Sequence, residues 1–329
     1  MYDATRLKSA ITISESTVEC PVSGCNHYVP RQRKRFQRLE KFMCPEHSIY
    51  ISPSTFEYHY KSDNILWKEK QDLELLFDRI ASVKRDSRRI SRDNSEDAVT
   101  WNIFRYFEKQ NLLQPFLSKI AGYSVDDPEI IYWSYCQSEN SIWSELKKAR
   151  LEFETNPEKG SEPDVIILAK NALFLIEAKL NAKNETTSSS SNPKVEEQYT
   201  RGGNNWYTSV FSSKFQAVAI TYKKYELLRF WLLGSWIAHN LNVNFFLISL
   251  VPSQKEQTIE SAFRKHIIEA QNRENKNRAF LRITWENMYD FILQTKEMST
   301  EKQAILEYFR HKTVGYSSDG NLQRAFSIK

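Results

Sequence analysis

Glycine and proline are scarce in this 329-residue chain, at 8 and 10 residues, which excludes collagen-like and low-complexity sequence. Cysteine is scarce too: 4 in a chain of this length are too few for a disulfide scaffold and point to a reducing compartment. The most apolar stretch, Leu227 to Ala238, holds Arg229 and falls short of the roughly 20 residues that a membrane span needs. Met1 to Ile13 lacks the apolar segment of a secretory signal. No phosphate-binding G-x-x-x-x-G-K-[ST] loop, no G-x-G-x-x-G and no G-x-S-x-G occurs, so nucleotide-loop, dinucleotide and serine-hydrolase chemistries have no footing. These absences lead to the expectation of a soluble, cytoplasmic protein without a membrane partner. Charge of one sign is not in large excess either. The net +5, from 46 Lys+Arg against 41 Asp+Glu, hints only weakly at an anionic partner.

What is present is 40% hydrophobic and 13% aromatic sequence, enough for a large core and about two domains. Residues 1–60 hold three of the four cysteines, with turn signals at Pro21, Gly24, Pro30, Pro45 and Pro53, and read as a small separate module. A connecting helix over Ile65–Val83 and a basic linker to Asp93 follow. The remainder, 94–329, reads as one larger α/β domain. There, Asn94-Ser95 offers a cap for a helix to about Asn111, and Leu112–Ala121 predicts a helix that stops at Gly122. Strands are expected at Ile130–Cys136, Val165–Leu168, Leu173–Ala178, Val243–Val251 and Phe280–Thr284. Helices are expected at Ile142–Phe153, Trp206–His239 and Thr258–Ala270, then to about Lys312. Asn184–Pro193 has the composition of a mobile loop.

The most informative stretch joins two of these strands. With Lys170-Asn171 at the turn of a hairpin, Leu168 faces Leu173, Ile166 faces Leu175 and Asp164 faces Glu177. Directly opposed residues share a face with Cβ atoms about 4.5–5.5 Å apart, and alternation puts Lys179 on the face of Glu177. Two acids that close repel unless a cation lies between them, and a hard, oxygen-binding ion such as Mg²⁺ suits the position. Lys179 could then orient a water and offset charge on a phosphate, the equipment for phosphodiester hydrolysis. On the helix after Ser95, Glu96 shares a face with Thr100, Ile103 and Phe107, so an acid is aimed at the core from the first turn.

Pro163-Asp164, twelve residues, then Glu177-Ala178-Lys179 resembles the signature of the PD-(D/E)XK nuclease superfamily, and Glu96 matches its additional helix acid. The resemblance extends from about Ser95 to Asn287. It implies a restriction-endonuclease-like mixed sheet flanked by helices, and Mg²⁺-dependent cleavage of DNA, duplex DNA first, in restriction or defence. By family role Asp164, Glu177 and Glu96 bind the metal with the Ala178 carbonyl, and Lys179 positions the attacking water. Gln198-Tyr199 is a loose match to a pair that contributes in some branches. Double-strand cleavage by such enzymes usually takes two sites, which makes a homodimer the natural assembly.

Cys20, Cys25, Cys44 and His47 form C-x4-C-x18-C-x2-H, the spacing of two knuckles around a structural Zn²⁺, with His27 as an alternative fourth ligand. Cys136, in an expected strand, reads as a core thiol. Between the knuckles lie Arg31, Arg33, Lys34, Arg35 and Arg38, with Phe36 interleaved, as suits contact with DNA phosphates. A second basic run, Lys84 to Arg92 with Arg88 and Arg89, leads into the Glu96 helix. Residues 31–41 carry six basic and one acidic side chain and residues 84–92 five and one, which leaves the rest of the chain at −4. The alternative is a non-catalytic nucleic-acid- or protein-binding module on the same scaffold.

Overall fold

The computed structural model describes residues 7–84, 89–188, 193–270, 277–296 and 298–328. The chain is a mixed α/β protein whose seven-stranded sheet is flanked by helices, with a Cys/His cluster near the N-terminus. It forms two compact units. Met1–Leu73, Asp86–Tyr106 and Trp285–Lys329 make up the first, and Glu74–Arg85 with Phe107–Thr284 the second.

In the first unit, β1 (Thr17–Glu19) and β2 (Tyr28–Pro30) form an antiparallel pair. Strands β3 (Met43–Cys44), β4 (Ile49–Ile51) and β5 (Phe56–Tyr58) form a meander. The helix expected from Ile65 begins only at Lys70, after a 3₁₀ turn at Lys61–Asn64, and has a π-helical stretch at Leu75–Ile80. Helix α1 (Glu96–Lys109) starts where the Ser95 hydroxyl accepts the Ala98 N–H at 3.2 Å, the N-cap that the sequence indicates. From Ala98 to Phe107 it is buried on nearly every side, so sharing a face with core residues gives Glu96, itself half-buried, no particular direction.

The second unit holds α2 (Leu113–Ala121), ended by Gly122 in the left-handed region as expected, and the large sheet. Its strands are β6 (Glu129–Tyr132), β7 (Tyr135–Cys136), β8 (Ser141–Ile142), β9 (Val165–Leu168), β10 (Ala172–Ala178), β11 (Asn244–Val251) and β12 (Arg278–Thr284). The order is β12-β11-β10-β9-β6-β7-β8; the first three run parallel and the rest are antiparallel. The single strand expected over Ile130–Cys136 is two strands. Trp133 and Ser134, with φ of 42° and 76°, make the two-residue turn between them, a turn usually signalled by Asn or Gly. Helix α3 (Ser144–Phe153) follows, shorter than expected because Ser141–Ile142 pairs as β8.

The long helix expected over Trp206–His239 is interrupted. One turn at Tyr207–Val210 ends where Phe211 bridges Ile267, and a π-helical turn at Ala217–Thr221 follows. Helix α4 (Tyr225–Leu241) begins after Lys223 in the left-handed region. It crosses one face of the sheet so closely that a Cβ on Gly234 would lie 2.4 Å from the Phe245 ring and 2.9 Å from Leu175. That face, with Ile131, Ile166, Leu173, Leu175, Phe245, Leu247 and Phe280, forms the main core with α3 and α4. The helix expected over Thr258–Ala270 is confined to Ile259–Arg264. Of the expected loop over 184–193, residues 189–192 lie outside the described residues. Asn184 is buried, and Thr186 bridges Lys224.

The chain ends in the first unit with α5 (Trp285–Gln294), α6 (Thr300–His311) and a hairpin of β13 (Thr313–Tyr316) and β14 (Leu322–Arg324). Tyr316 and Leu322 pack into the same core as Cys20, Cys25, Cys44, Ile49 and Phe56, so the N-terminal module is completed by the C-terminal hairpin. Buried Lys312 joins them further. Its ammonium lies 3.4 Å from Asp93 and donates to Asn64 at 3.0 Å.

Candidate active site and metal centre

Hairpin β9–β10 turns at Lys170-Asn171, with the Ala169 N–H bonded to Ala172 O at 2.8 Å. Leu168 pairs with Leu173, Ile166 with Leu175 and Val165 with Ile176, the register that the sequence predicts. The paired positions end there; Asp164 comes just before β9 and is close enough to Glu177 to raise its carboxyl pKa. The Ala178 N–H donates to Asp164 Oδ2 at 2.9 Å, and Trp133 Nε1 donates to Asp164 Oδ1 at 3.2 Å. The bulky Trp133 holds a left-handed backbone, and its N–H also bonds Asp164 O at 3.1 Å, so the unusual turn next to the acid is fixed by the acid's own residue.

Across the parallel strands Glu177 pairs with Ser249, and Ser249 with Arg282. Paired residues share a face, so Glu177, Ser249 and Arg282 form a polar row at one end of an otherwise apolar surface, with Asp164 close to Glu177. Arg282 is spent locally: it donates to the carbonyls of Ser253 and Lys255 at 2.8 and 2.7 Å. Lys179 lies on the same face and pairs directly with Glu177; its ammonium is also 3.2 Å from Glu226 in the first turn of α4. Burial pushes the Glu177 carboxyl well above the usual carboxylate range. Lys179 opposes that shift, and Asp164 and Glu226 add to it. Asp164, Glu177 and Lys179 are thus brought together by the second unit. Glu96 lies in the first unit, at the start of α1.

Glu226, Ser249 and Trp133 were not visible as site residues in the sequence. The one local signal was Ser249, a lone hydroxyl in the run Leu247-Ile248-Ser249-Leu250. Gln198 and Tyr199 do not reach the acids. Gln198 donates to Glu152 O at 2.9 Å and Tyr199 to Glu154 at 3.2 Å. Glu154 in turn accepts the Ser161 N–H at 2.9 Å, bracing the segment that leads into Pro163-Asp164.

The cysteine cluster is built on two turns. Gly24, at φ 82°, lets residues 20–25 fold back so that the Cys25 N–H meets Val22 O. Residues 44–48 close through the Ser48 N–H to Cys44 O at 2.9 Å. Cys20, Cys25, Cys44 and His47 Nδ1 all lie within 4.8 Å of one another. His27 instead pairs with Glu46 at 2.9 Å, which decides between the two histidines in favour of His47. Tetrahedral zinc sets S···S edges of about 3.8 Å and S···N edges of about 3.6 Å. Cys25 and Cys44 sulfurs are 3.8 Å apart, and His47 Nδ1 is 3.7 and 3.6 Å from Cys20 and Cys44. Hydrogen bonds from Cys20 and then His47 hold the Cys44 thiol down at about 4, while Cys20 is pushed up by that same contact. The set could therefore hold a metal such as zinc. Among the described residues it is the only group of three or more His, Cys, Asp or Glu with ligand atoms so placed.

Arg31 and Arg33 donate to the carbonyls of Ser14 and Glu15, and Arg38 pairs with buried Glu57 at 3.1 Å and lies over the Tyr50 ring. Phe36 meets Tyr50 edge-on. Lys34, Arg35 and Arg89 are exposed. Arg88 lies outside the described residues. Cys136 is buried in the sheet, as expected of a core thiol. Among the described residues no helix is long and apolar enough to cross a membrane. Compared with protein-family models, with curated proteins and with solved structures, the chain matches none.

Proposed function

We propose that the chain is a metal-dependent endonuclease of the PD-(D/E)XK type that hydrolyses phosphodiester bonds of DNA, with the cysteine cluster holding a structural zinc. The end of the hairpin carries this reading: Asp164 and Glu177 come close there, at the end of a buried ribbon, with Lys179 paired to Glu177. The donor set suits a hard cation, since the carboxylates supply oxygens only and Glu177 is costly to ionise without added positive charge. Asp164 and Glu177 would hold Mg²⁺, joined by the Ala178 carbonyl on the strength of the resemblance. When bound, such an ion polarises a phosphoryl oxygen and lowers the pKa of a coordinated water. Trp133 and the Ala178 N–H fix the Asp164 carboxylate. Lys179, released from Glu177, places a water for in-line attack and offsets charge on the phosphate. Lys34, Arg35 and Arg89 supply cationic contacts to the DNA backbone.

Asp164→Ala and Lys179→Ala are expected to abolish cleavage while leaving DNA binding largely intact; cleavage by either variant at the wild-type rate would remove the assignment. A second reading, a non-catalytic binding scaffold, draws on the ion pairs that Lys179 makes with both Glu177 and Glu226. It predicts no Mg²⁺-dependent nicking, and loss of binding when the run Arg31–Arg38 is neutralised.

A further inference from the structure

Lys224 is 9% exposed, and its ammonium donates to one acceptor, Asn184 O at 3.0 Å. No carboxylate lies within 4.0 Å of it among the described residues, and Glu226, two residues on, is engaged by Lys179. A buried charge without a paired acid is expensive, and burial does push this amine below its ordinary value, with Glu256 and Glu185 opposing from farther off. Asn184 adds a second unmet demand: its Oδ1 is buried without a partner, while its Nδ2 donates to Ser249 at 3.0 Å. Ser249 stands opposite Glu177 in the polar row. Asn184 therefore touches both the ammonium and Ser249, the neighbour of Glu177 on the next strand.

The local chain is held in this arrangement from several sides. Asn181 accepts from Lys255, the Thr186 N–H donates to Lys223 O, and the Glu226 N–H donates to the Thr186 hydroxyl. A lysine needed only to tie this segment down would have its other two protons answered by acceptors. Among the described residues one protein acceptor faces it, beside a site that on the reading above takes a polyanion.

We propose that Lys224, steadied by Asn184, binds an anionic oxygen of the substrate strand, at a phosphate next to the one that is cleaved. This rests on the nuclease reading for its substrate, but not for its anion. The strand phosphate takes two ammonium protons, and the third stays on the Asn184 carbonyl. A contact equal in ground and transition states raises KM and leaves kcat nearly unchanged.

The test has two arms on the full chain. First, lysines are labelled biosynthetically with ¹³C at Cε, which leaves all three ammonium protons in place, and the Lys224 signal is assigned by its absence in Lys224→Arg. Inorganic phosphate, without divalent metal, is expected to shift that signal, and chloride at equal ionic strength is not. An unmoved signal, or equal shifts from both salts, would overturn the proposal. Second, Lys224→Met is expected to raise KM for DNA about tenfold with kcat held, and Lys224→Arg to restore it. A Lys224→Met protein that melts lower but keeps the wild-type KM would make Lys224 a structural tether. If the wild type proves inactive, the nuclease reading fails and the phosphate shift alone decides the anion site.

Discussion

Glu177 has the environment furthest from water of any carboxylate in the candidate site, and its cost is testable by pH. Its folded-state value is raised by burial above the ordinary 4.5, so the folded chain holds a proton that the unfolded chain has released. Without a divalent ion, the contribution of this one group to stability is therefore fullest below about 4.5 and is lost as pH rises through the folded value. Glu177→Gln is expected to melt higher than the wild type at alkaline pH, with the gap closing as the pH falls toward 4.5. Mg²⁺ should raise the melting temperature of the wild type and not of the variant. A gap that is constant with pH would contradict the assigned burial cost. The register of β9 with β10, which brings Asp164 near Glu177, was legible in the sequence because it follows from a short, even turn. Trp133, Glu226, Ser249 and Lys224 were not. Each is placed near the acids by tertiary packing, and only Ser249, a lone hydroxyl in an apolar run, is marked in its immediate sequence.

At the scale of elements, helix α4 on the sheet sets the position of Glu226. Alanine is a better helix former than glycine by about 1 kcal/mol, but a Cβ at position 234 meets a packed aromatic ring at 2.4 Å. Overpacking of that kind costs about 1–3 kcal/mol, so Gly234→Ala is expected to destabilise in chemical denaturation; a gain in stability would contradict the close approach. Strands β9 to β12 and α2 could be read from local pattern. The break of the expected helix at Phe211 could not, because its cause is a bridge to Ile267, far along the chain. Ile130–Cys136 failed differently: Trp and Ser are poor signals for a turn, and it is held by bonds from Trp133 to Asp164 and from Trp143 and Arg150 to Ser134, all distant in sequence or unmarked.

At the scale of the molecule, the chain leaves and re-enters its two compact units, and the C-terminal hairpin shares a core with the cysteine cluster. That sharing joins residues some 300 apart, beyond the reach of periodicity or spacing. It makes the metal a concern of the whole first unit. Purified protein is expected to hold one zinc per chain, and Cys44→Ser or chelation to lower the melting temperature sharply, by the loss of metal-linked folding energy. Metal-free protein with an unchanged melt would remove the zinc. The central claim, that the acid pair and Lys179 form a metal-dependent phosphodiesterase site, is met most directly by incubating the full chain with plasmid, linear duplex and single strands in Mg²⁺ or in EDTA. The account predicts strand cleavage in Mg²⁺ that EDTA stops and that Lys179→Ala lacks. Intact DNA of every form in Mg²⁺, or cleavage that EDTA leaves unchanged, would contradict it.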